Sequence, residues 1–287
     1  MISAMLRAMR PKQWLKNILV FAAPGAAGVL DSPDDFLTTV IAFVAFCLAA
    51  SGTYVWNDLN DLEADRTHPT KRNRPFAAGL VPLGVARTMG VVLPLAALAV
   101  AGATGRWETV GVIAAYLVLT ISYTFWLKDV AIIDLLAVAS GFVLRAAAGA
   151  VAVDVPMSRW FILCVTFGSL FIVVGKRYAE LQELGAGAGT RTTLDTYTPG
   201  FLRMLLSVSL GGALISYCVW AFETAVGKDF PFYELSIVPM IAALFRYLLV
   251  LERGEGSAPE EVFARDRVLQ LAGLVWVIIY GTAVYTA

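Results

Sequence analysis

The stretch FLTTVIAFVAFCLAASGTYVW, residues 36–56, contains no charged side chain from its first position to its last. A helix needs about 20 apolar residues to cross the hydrocarbon core of a membrane. Backbone N–H and C=O groups find no water inside lipid, so a segment that crosses it must satisfy its own hydrogen bonds as a helix. The stretch therefore predicts a membrane-spanning helix.

Apolar runs of this kind recur along the whole chain, of whose 287 residues 59% are hydrophobic and 15% are charged. Soluble domains contain about half apolar and about a quarter charged residues. The predicted fold class is all-α: a polytopic membrane protein with about nine transmembrane helices, in a single domain over residues 1–287. Pro24 and Gly25 interrupt the first span, and the eighth is short. The predicted spans are, approximately, 15–31, 36–56, 84–104, 107–126, 130–152, 159–175, 201–222, 236–251 and 268–286.

The basic residues predict which side of the membrane each loop faces. If the N-terminus is cytoplasmic, the outer loops hold only Arg106, Arg159 and Lys228 of the 22 Lys and Arg residues. Cytoplasmic loops of membrane proteins carry an excess of Lys and Arg. We therefore expect a multi-pass protein of the cell (inner or plasma) membrane whose active site faces the cytoplasm. The net charge is zero, but it says nothing about nucleic acid because the charges are sorted by side. No nucleic acid is expected as a partner.

The opening stretch is followed by NDLNDLEADRTHPTKRNRP, residues 57–75, in which four carboxylates precede five basic residues. Asp58, Asp61 and Asp65 are spaced so that a helix continuing through them would carry them on one face, with Asn57 beside them. A divalent cation removes the repulsion between such carboxylates, and Mg²⁺ binds through one or two carboxylates together with substrate phosphates. We predict that these four side chains are the Mg²⁺ ligands. The alternative is a solvated acidic helix end.

Basic residues follow these carboxylates directly and supply groups that bind anions. Charge-assisted hydrogen bonds from Arg and Lys to phosphate are among the stronger ones in proteins. Carboxylates that hold a metal ion, beside cations that hold phosphate, are what a pyrophosphate–Mg²⁺ site requires. The cations predicted for this role are Arg66, Lys71, Arg72 and Arg74.

A second polar motif, SYTFWLKDVAIIDLLAVASGFVLRAAAGA, occupies residues 122–150. Lys128 and Asp129 lie at the predicted turn between the fourth and fifth helices, and Asp134 lies one turn inside the fifth. Arg145 follows Asp134 by eleven positions, a net rotation of about 20° around a helix, so both face the same direction. A charge near membrane depth usually lines a cavity or meets a partner. The alternative is an Asp–Arg pair between helices with a structural role.

The third motif, GKRYAELQELG at residues 175–185, follows the sixth predicted helix. Lys176 and Arg177 suit anion binding, with positive-inside anchors as the alternative. The glycine-rich continuation to residue 200 lacks the P-loop pattern and predicts a flexible cytoplasmic loop, a candidate lid. All three motifs follow helices that end on the same face, so we expect them to meet in a central cavity open to the cytoplasm. His68 is the only histidine, and without a base to activate a nucleophile the chemistry must depend on metal and charge.

Together these residues resemble the UbiA superfamily of intramembrane prenyltransferases, which carries an NDxxDxxxD motif after the second of nine helices and a second acidic motif after the fourth. Asn57, Asp58, Asp61 and Asp65 match the first motif position by position. The second motif departs from the usual DxxxD, because its carboxylates stand five positions apart and follow a lysine. The resemblance implies a UbiA-like helical fold.

A closer similarity is to the decaprenyl-phosphate phosphoribosyltransferase branch of that superfamily. It rests on the segments RPKQWLKN (10–17), NDLNDLEADRTHPTKRNRPFAAG (57–79) and GKRYAEL (175–181). The resemblance implies Mg²⁺-dependent transfer of 5-phosphoribose from phosphoribosyl pyrophosphate to a polyprenyl (decaprenyl) phosphate, for the synthesis of arabinan cell-wall precursors. The expected partners are these two substrates and the membrane, with a homo-oligomer left open.

The implied reaction is displacement of pyrophosphate from ribose C1 by an oxygen of the lipid phosphate, which is already ionised and needs no general base. Positioning and charge neutralisation at the leaving group would supply most of the rate. The residues predicted to be catalytic are Asp58, Asp61, Asp65, Lys128 and Asp134. The residues predicted to bind substrate are Lys12, Lys16, Asn17, Asn57, Arg66, Lys71, Arg72, Arg74, Tyr123, Arg145, Lys176, Arg177 and Tyr178.

Two other functions stay open at this point. A conventional prenyltransferase would move an isoprenyl group from a prenyl diphosphate to an aromatic acceptor and would need cations for one diphosphate only. A transporter with a polar site at the bilayer midplane would show paired helix interruptions in its two halves and polar groups that reach both sides. Here the charges crowd one face, which favours an enzyme.

Overall fold

The computed structural model describes residues 1–68, 70–184, 193–256 and 258–286. Within these ranges every regular element is a helix, so the predicted all-α class is confirmed. Short 3₁₀ helices lie at Pro11–Phe21, Lys71–Asn73 and Leu127–Asp129. The α-helices are α1 (Ile2–Ala8), α2 (Ala22–Ala26), α3 (Pro33–Asn60), α4 (Leu62–Thr67), α5 (Leu83–Gly102), α6 (Trp107–Phe125), α7 (Ile133–Ala152), α8 (Arg159–Leu184), α9 (Pro199–Ala225), α10 (Phe232–Leu235), α11 (Ile237–Glu252), α12 (Pro259–Arg265) and α13 (Arg267–Thr286).

Eight helical segments in the described part of the chain are long and apolar enough to cross a membrane. They correspond to the second through ninth predicted spans. The opening stretch lies within α3, which Ser32 caps by accepting a hydrogen bond from the backbone N–H of Asp35. Pro33 occupies the first turn, where a backbone N–H would have no partner within the helix. Two aspartates in the same turn interact favourably with the positive end of the helix dipole.

The first predicted span, residues 15–31, which was expected to be interrupted at Pro24 and Gly25, is not a continuous α-helix. Pro11–Phe21 is a 3₁₀ helix, and only Ala22–Ala26 is α-helical. A 3₁₀ helix rises about 2.0 Å per residue and an α-helix about 1.5 Å, so the two together extend roughly 30 Å, close to the thickness of the hydrocarbon core. The broken segment therefore has the length of a span, and the order of inner and outer loops stays a prediction.

Two compact units make up the chain. Unit 1 comprises Met1–Lys128 and Leu144–Pro156, and unit 2 comprises Asp129–Val143 and Met157–Ala287. In unit 1, α3 packs against α5 and α6 through small side chains, which let membrane helices approach closely. The N-terminal 3₁₀ helix also lies close to α7. Gly149 of α7 permits this approach, since a Cβ atom at that position would collide with the carbonyl group of Val20.

In unit 2, α8, α9 and α11 pack around a core of large buried side chains. Phe171 and Tyr247 meet edge to face, with ring centroids 5.6 Å apart. Leu206 and Leu251 are buried beside them. Helix α8 continues past this core to Leu184, so the basic residues of the third motif lie on its final turns.

Candidate active site

The first motif brings two of its carboxylates onto one guanidinium group. Asp58, on the last turn of α3, and Asp65, on α4, are each 2% exposed. Nη1 of Arg74 lies 3.1 Å from Oδ1 of Asp58 and 2.6 Å from Oδ2 of Asp65. Buried charges are tolerated when they are paired and hydrogen-bonded. The cluster is thus a neutralised, largely desolvated acidic site, with Arg74 as its bridge.

Asp61 does not join this pair, because α3 ends at Asn60 and Asp61 lies in the turn before α4. Its Oδ1 accepts from Nζ of Lys128 at 3.0 Å, and its Oδ2 accepts from Nδ2 of Asn57 at 3.3 Å. The expected stripe of three carboxylates on one continuous helix therefore becomes a pair and a separate ion pair. The structure nevertheless brings Lys128 of the second motif to Asp61 of the first motif.

The chemistry of Asp58 and Asp65 fits a Mg²⁺ ion. Their oxygens already converge on a single positive group, and hard carboxylate oxygens are the ligands that Mg²⁺ uses together with substrate phosphates. No group of three or more Asp, Glu, His or Cys side chains arranged for a metal ion occurs in the described ranges. A metal ion would therefore depend on these two carboxylates and on oxygens from substrate, with Asn57 and Asp61 nearby in sequence.

Arg10 is a member of this site that the sequence did not predict. Its Nη2 donates to Oδ1 of Asp58, and its guanidinium carbon lies 5.0 Å from the centroid of the Tyr54 ring. The segment around it is attached to α3, because Nε1 of Trp14 donates to Oγ of Ser51 at 3.1 Å. Arg10 and Asp58 are 48 positions apart in the sequence, so no local pattern links them. The sequence could have indicated only that a buried aspartate needs a cation as a partner.

The other predicted substrate-binding residues of the first motif and the N-terminal segment lie at different depths. Arg66 pairs with Glu63 at 2.7 Å on an exposed side of α4. Lys12 and Arg72 are exposed. Pro69, between Asp65 and Arg72, lies outside the described residues. The members of the predicted set in unit 1 that are half-buried are Lys16, Asn57, Lys71, Arg74 and Tyr123.

Arg145 is 5% exposed and lies against neutral groups of unit 1. Its Nε donates to Oδ1 of Asn17 at 2.8 Å, and its Nη2 donates to the hydroxyl of Tyr116 at 3.1 Å. The guanidinium carbon lies 4.8 Å from the centroid of the Tyr116 ring and 5.5 Å from that of Phe46. Ring faces attract a cation, and a charge within a span is costly without such partners. Arg145 and Asn17, both predicted to bind substrate, are thus brought together.

Asp134 belongs to a separate polar cluster in unit 2 and is fully buried. The hydroxyl of Tyr197 donates to its Oδ1 at 2.5 Å and accepts from the backbone N–H of Ile132 at 2.7 Å. The other carboxylate oxygen of Asp134, Oδ2, accepts from Nε of Arg177 at 3.3 Å and from Oγ1 of Thr193 at 3.4 Å. Burial raises the pKa of Tyr197, and the hydrogen bond to Asp134 raises it further. The hydroxyl therefore stays protonated and donates to Asp134. Tyr197 is a second residue that the sequence did not single out.

The basic residues of the third motif differ in accessibility. Arg177 is 4% exposed at its side chain and donates to Oε2 of Glu180 at 2.9 Å as well as to Asp134. Lys176 is 37% exposed, with Nζ 3.9 Å from Oε1 of Glu180. Tyr178 is buried, and its hydroxyl accepts from Nε of Arg203 at 2.7 Å. The geometry favours Lys176 over Arg177 for contact with an anion, and residues 185–192 of the candidate lid lie outside the described residues.

The arrangement in unit 1, with buried carboxylates, a bridging arginine and a transmembrane scaffold, is of the kind that the sequence resemblance implied. The model of the UbiA prenyltransferase family matches residues 18–280. The chain belongs to this family. A UbiA homolog from Archaeoglobus fulgidus, solved bound to GPP and Mg²⁺, shares the fold with a TM-score of 0.74 over 99% of this chain and 100% of that chain, at 18% sequence identity.

More similar relatives belong to one branch of the family. The chain is 42% identical over 301 residues to the decaprenyl-phosphate phosphoribosyltransferase of Mycolicibacterium smegmatis, which covers 99% of this chain and 93% of that protein. It is 43% identical over 287 residues to the protein of the same name from Corynebacterium glutamicum, with 98% and 86% coverage. The predicted resemblance is confirmed, and with it the prediction that the chain is a transferase.

Proposed function

We propose that this protein transfers 5-phosphoribose from phosphoribosyl pyrophosphate to a polyprenyl phosphate and releases pyrophosphate, in a reaction that requires Mg²⁺. Relatives that match nearly its whole length are named decaprenyl-phosphate phosphoribosyltransferase, which supports the phosphoribosyl transfer. The structural observation that supports the proposal most is the buried pair Asp58 and Asp65 around the guanidinium of Arg74. Such a cluster supplies both carboxylates for a metal ion and a cation for a diphosphate.

The bond changes balance without an acid or a base in the protein. An oxygen of the lipid phosphate forms a bond to ribose C1, and the bond from C1 to the pyrophosphate oxygen breaks with its electron pair. Both the attacking and the departing groups are anions, so no proton has to move at the reacting carbon. Catalysis then depends on holding the two substrates in line and on neutralising charge that grows on the leaving group.

Residues of unit 1 are suited to the leaving-group end of this reaction. Asp58 and Asp65 would hold Mg²⁺, which when bound supplies positive charge to the departing pyrophosphate. Arg74, held beside these carboxylates through one nitrogen, would offer its other guanidinium nitrogens to diphosphate oxygens. Lys128, 3.0 Å from Asp61, provides a further cation on the same unit. These ion pairs keep the carboxylates neutralised until substrate arrives.

Incubation of the purified protein with Mg²⁺, phosphoribosyl pyrophosphate labelled in the ribose and a polyprenyl phosphate tests the proposal. We expect label to enter the organic phase, to remain in the aqueous phase with EDTA, and to enter the organic phase again when Mg²⁺ is restored. A parallel reaction with labelled prenyl diphosphate and an aromatic acceptor tests the conventional prenyltransferase. Transfer in that second reaction, with none in the first, would contradict the proposal.

We also propose that the reaction takes place at the cytoplasmic face of the cell membrane. The basic residues that follow α3 and those on the last turns of α8 lie in segments that the positive-inside rule assigns to the cytoplasm. Phosphoribosyl pyrophosphate is a soluble, highly charged donor and would reach the site from that compartment. The lipid product would then serve as a precursor of arabinose donors for cell-wall polymers.

A further inference from the structure

Arg10 reaches its partner from an unusual backbone conformation. Its φ is 53°, in the left-handed region that residues other than glycine rarely adopt and that is found disproportionately at functional sites. Its side chain is 26% exposed, whereas that of Asp58 is 3% exposed. The described contacts of its guanidinium are Asp58 and the face of the Tyr54 ring. Arg10 is therefore an accessible cation that holds an inaccessible carboxylate.

The charges of this cluster balance as they stand. Arg10 and Arg74 carry two positive charges, and Asp58 and Asp65 carry two negative ones. A divalent cation that joined the cluster alone would leave two positive charges in excess among partly buried groups, where charges interact more strongly than in water. A diphosphate that arrived together with the cation would offset this excess with its negative charge, and its oxygens would accept hydrogen bonds from the guanidinium groups.

Of the two arginines, Arg10 is the one better placed to change partners. One nitrogen of Arg74 bonds to both aspartates, so its departure breaks two contacts. Arg10 donates to Asp58 alone among the carboxylates described. A cation that replaced it on Asp58 would leave the Arg74–Asp65 contact in place.

We infer that Arg10 is a diphosphate-binding residue that exchanges partners: it neutralises Asp58 in the metal-free protein and binds the diphosphate of the donor when a divalent cation takes Asp58. The inference deepens the proposed function and rests on it only for the presence of a diphosphate in the substrate. It has a thermodynamic consequence. Metal ion and diphosphate bind with positive coupling, and each tightens the other by the same factor.

The test measures binding of Mn²⁺ to the full-length protein in detergent, from the electron paramagnetic resonance signal of the free ion, with and without pyrophosphate. The proteins compared are wild type, Arg10→Gln, Arg10→Lys and Arg7→Gln. Arg7 is exposed on the same N-terminal segment, so Arg7→Gln removes an equal charge away from Asp58. Gel filtration and thermal unfolding establish that each variant is folded.

Arg10→Gln should bind Mn²⁺ alone about three- to tenfold more tightly than wild type, because a competing positive charge is gone. The factor by which pyrophosphate tightens Mn²⁺ binding should fall roughly tenfold or more, because a charged hydrogen bond to the diphosphate is lost. Arg7→Gln should match wild type in both measurements. Unchanged values in Arg10→Gln, or a loss of Mn²⁺ affinity, would overturn the inference and leave Arg10 as an anchor of the N-terminal segment.

Arg10→Lys keeps the charge and loses the planar fork that binds two oxygens at once. It should bind Mn²⁺ alone like wild type and still show a reduced effect of pyrophosphate. If Arg10→Gln does not fold, Arg10→Lys alone tests the inference. Wild-type values of Arg10→Lys in both measurements would then contradict it. Neither measurement contains phosphoribose or an isoprenoid, so failure of the proposed transfer reaction would be seen separately.

Discussion

Asp58 and Asp134 are both buried carboxylates, yet their partners give them different chemistry. Among the described contacts, Asp58 accepts only from guanidinium groups, which other cations can replace. Asp134 accepts from the hydroxyl of Tyr197 and from Arg177, and Tyr197 in turn binds the backbone of Ile132. Ile132 has a φ of 70°, a conformation that is costly for a β-branched residue and needs such support. We therefore propose that Asp134 positions the segment around Ile132; its predicted catalytic role stays a prediction.

Asp58→Asn removes the negative charge on which both arginines of the cluster converge. We expect turnover to fall by about a hundredfold or more, since a group that positions charge at the leaving group is lost. Glu63→Gln is the matched control, because Glu63 lies in the same motif with its side chain 82% exposed and pairs with Arg66. Formation of labelled lipid at saturating substrate measures both. Equal activities of the two variants would contradict the assignment of Asp58.

Tyr197→Phe deletes one hydroxyl that makes two hydrogen bonds, to Asp134 and to the backbone N–H of Ile132. We expect it to destabilise the protein by about 1–3 kcal/mol, because a buried carboxylate and a backbone donor lose their partner. The apparent Tm in detergent should fall accordingly.

Tyr280→Phe provides the contrast for this substitution. The Tyr280 hydroxyl is buried with no hydrogen-bond partner in the described part of the chain. Its removal should leave the Tm unchanged or raise it. A larger loss of Tm in Tyr280→Phe than in Tyr197→Phe would show that the Asp134 cluster does not support unit 2.

At the scale of elements, the end of α3 determines which carboxylates act together. Sequence spacing predicted one stripe for Asp58, Asp61 and Asp65 because it assumed an uninterrupted helix. The helix ends at Asn60, and the turn at Asp61 directs that side chain to Lys128 instead. The 3₁₀ helix at the N-terminus was missed for a related reason: hydropathy registers apolar residues but not whether their hydrogen bonds follow the α or the 3₁₀ pattern.

The start of α13 contains a pH-dependent contact. The carboxylate of Asp266 accepts from the backbone N–H of Leu269 at 2.9 Å and from Nε of Arg246, and the bond from Arg246 lowers the pKa of Asp266. The pKa of Asp266 in the folded protein lies below its unfolded value of about 3.9. The ionised carboxylate therefore stabilises the fold fully at pH values above the unfolded pKa. This stabilisation is lost as the pH falls through the folded-state pKa. We expect wild type to exceed Asp266→Asn in Tm at neutral pH, with a difference that shrinks below about pH 4. Thermal unfolding across pH measures this, and a difference that persists unchanged in acid would contradict it.

At the scale of the whole molecule, the fold was largely predictable and the site only in part. Eight spans followed from long, mainly apolar runs with few charges, because the length of such runs is set by the bilayer. Spacing predicted three grouped carboxylates in the first motif, and two of them, Asp58 and Asp65, lie together around Arg74. Arg10 did not follow from spacing, because it lies 48 positions from Asp58, and Tyr197 lies 63 positions from Asp134. No periodicity links residues so far apart, so those contacts required the folded chain.

The predicted orientation places the loop after α5 outside and the loop after α4 in the cytoplasm. We expect a membrane-impermeant thiol reagent added from outside to label Ala103→Cys and not Thr70→Cys, in a chain whose native cysteines have been replaced by alanine. Both positions are exposed, so accessibility depends on sidedness rather than burial. Permeabilised cells, in which both positions should react, are the control. Labelling of Thr70→Cys alone in intact cells would reverse the topology and the side on which the active site lies.

A doubly labelled donor tests the proposed transfer most directly. Phosphoribosyl pyrophosphate with ¹⁴C in the ribose and ³²P in the terminal phosphate of the diphosphate is incubated with polyprenyl phosphate, Mg²⁺ and either wild type or Asp58→Asn. With wild type, ¹⁴C should move to the lipid phase while ³²P stays in water as pyrophosphate, in equal molar amounts; with Asp58→Asn, neither lipid product nor pyrophosphate should form at a comparable rate. Transfer of ³²P to the lipid, or equal transfer of ¹⁴C by the two proteins, would contradict phosphoribosyl transfer at this site.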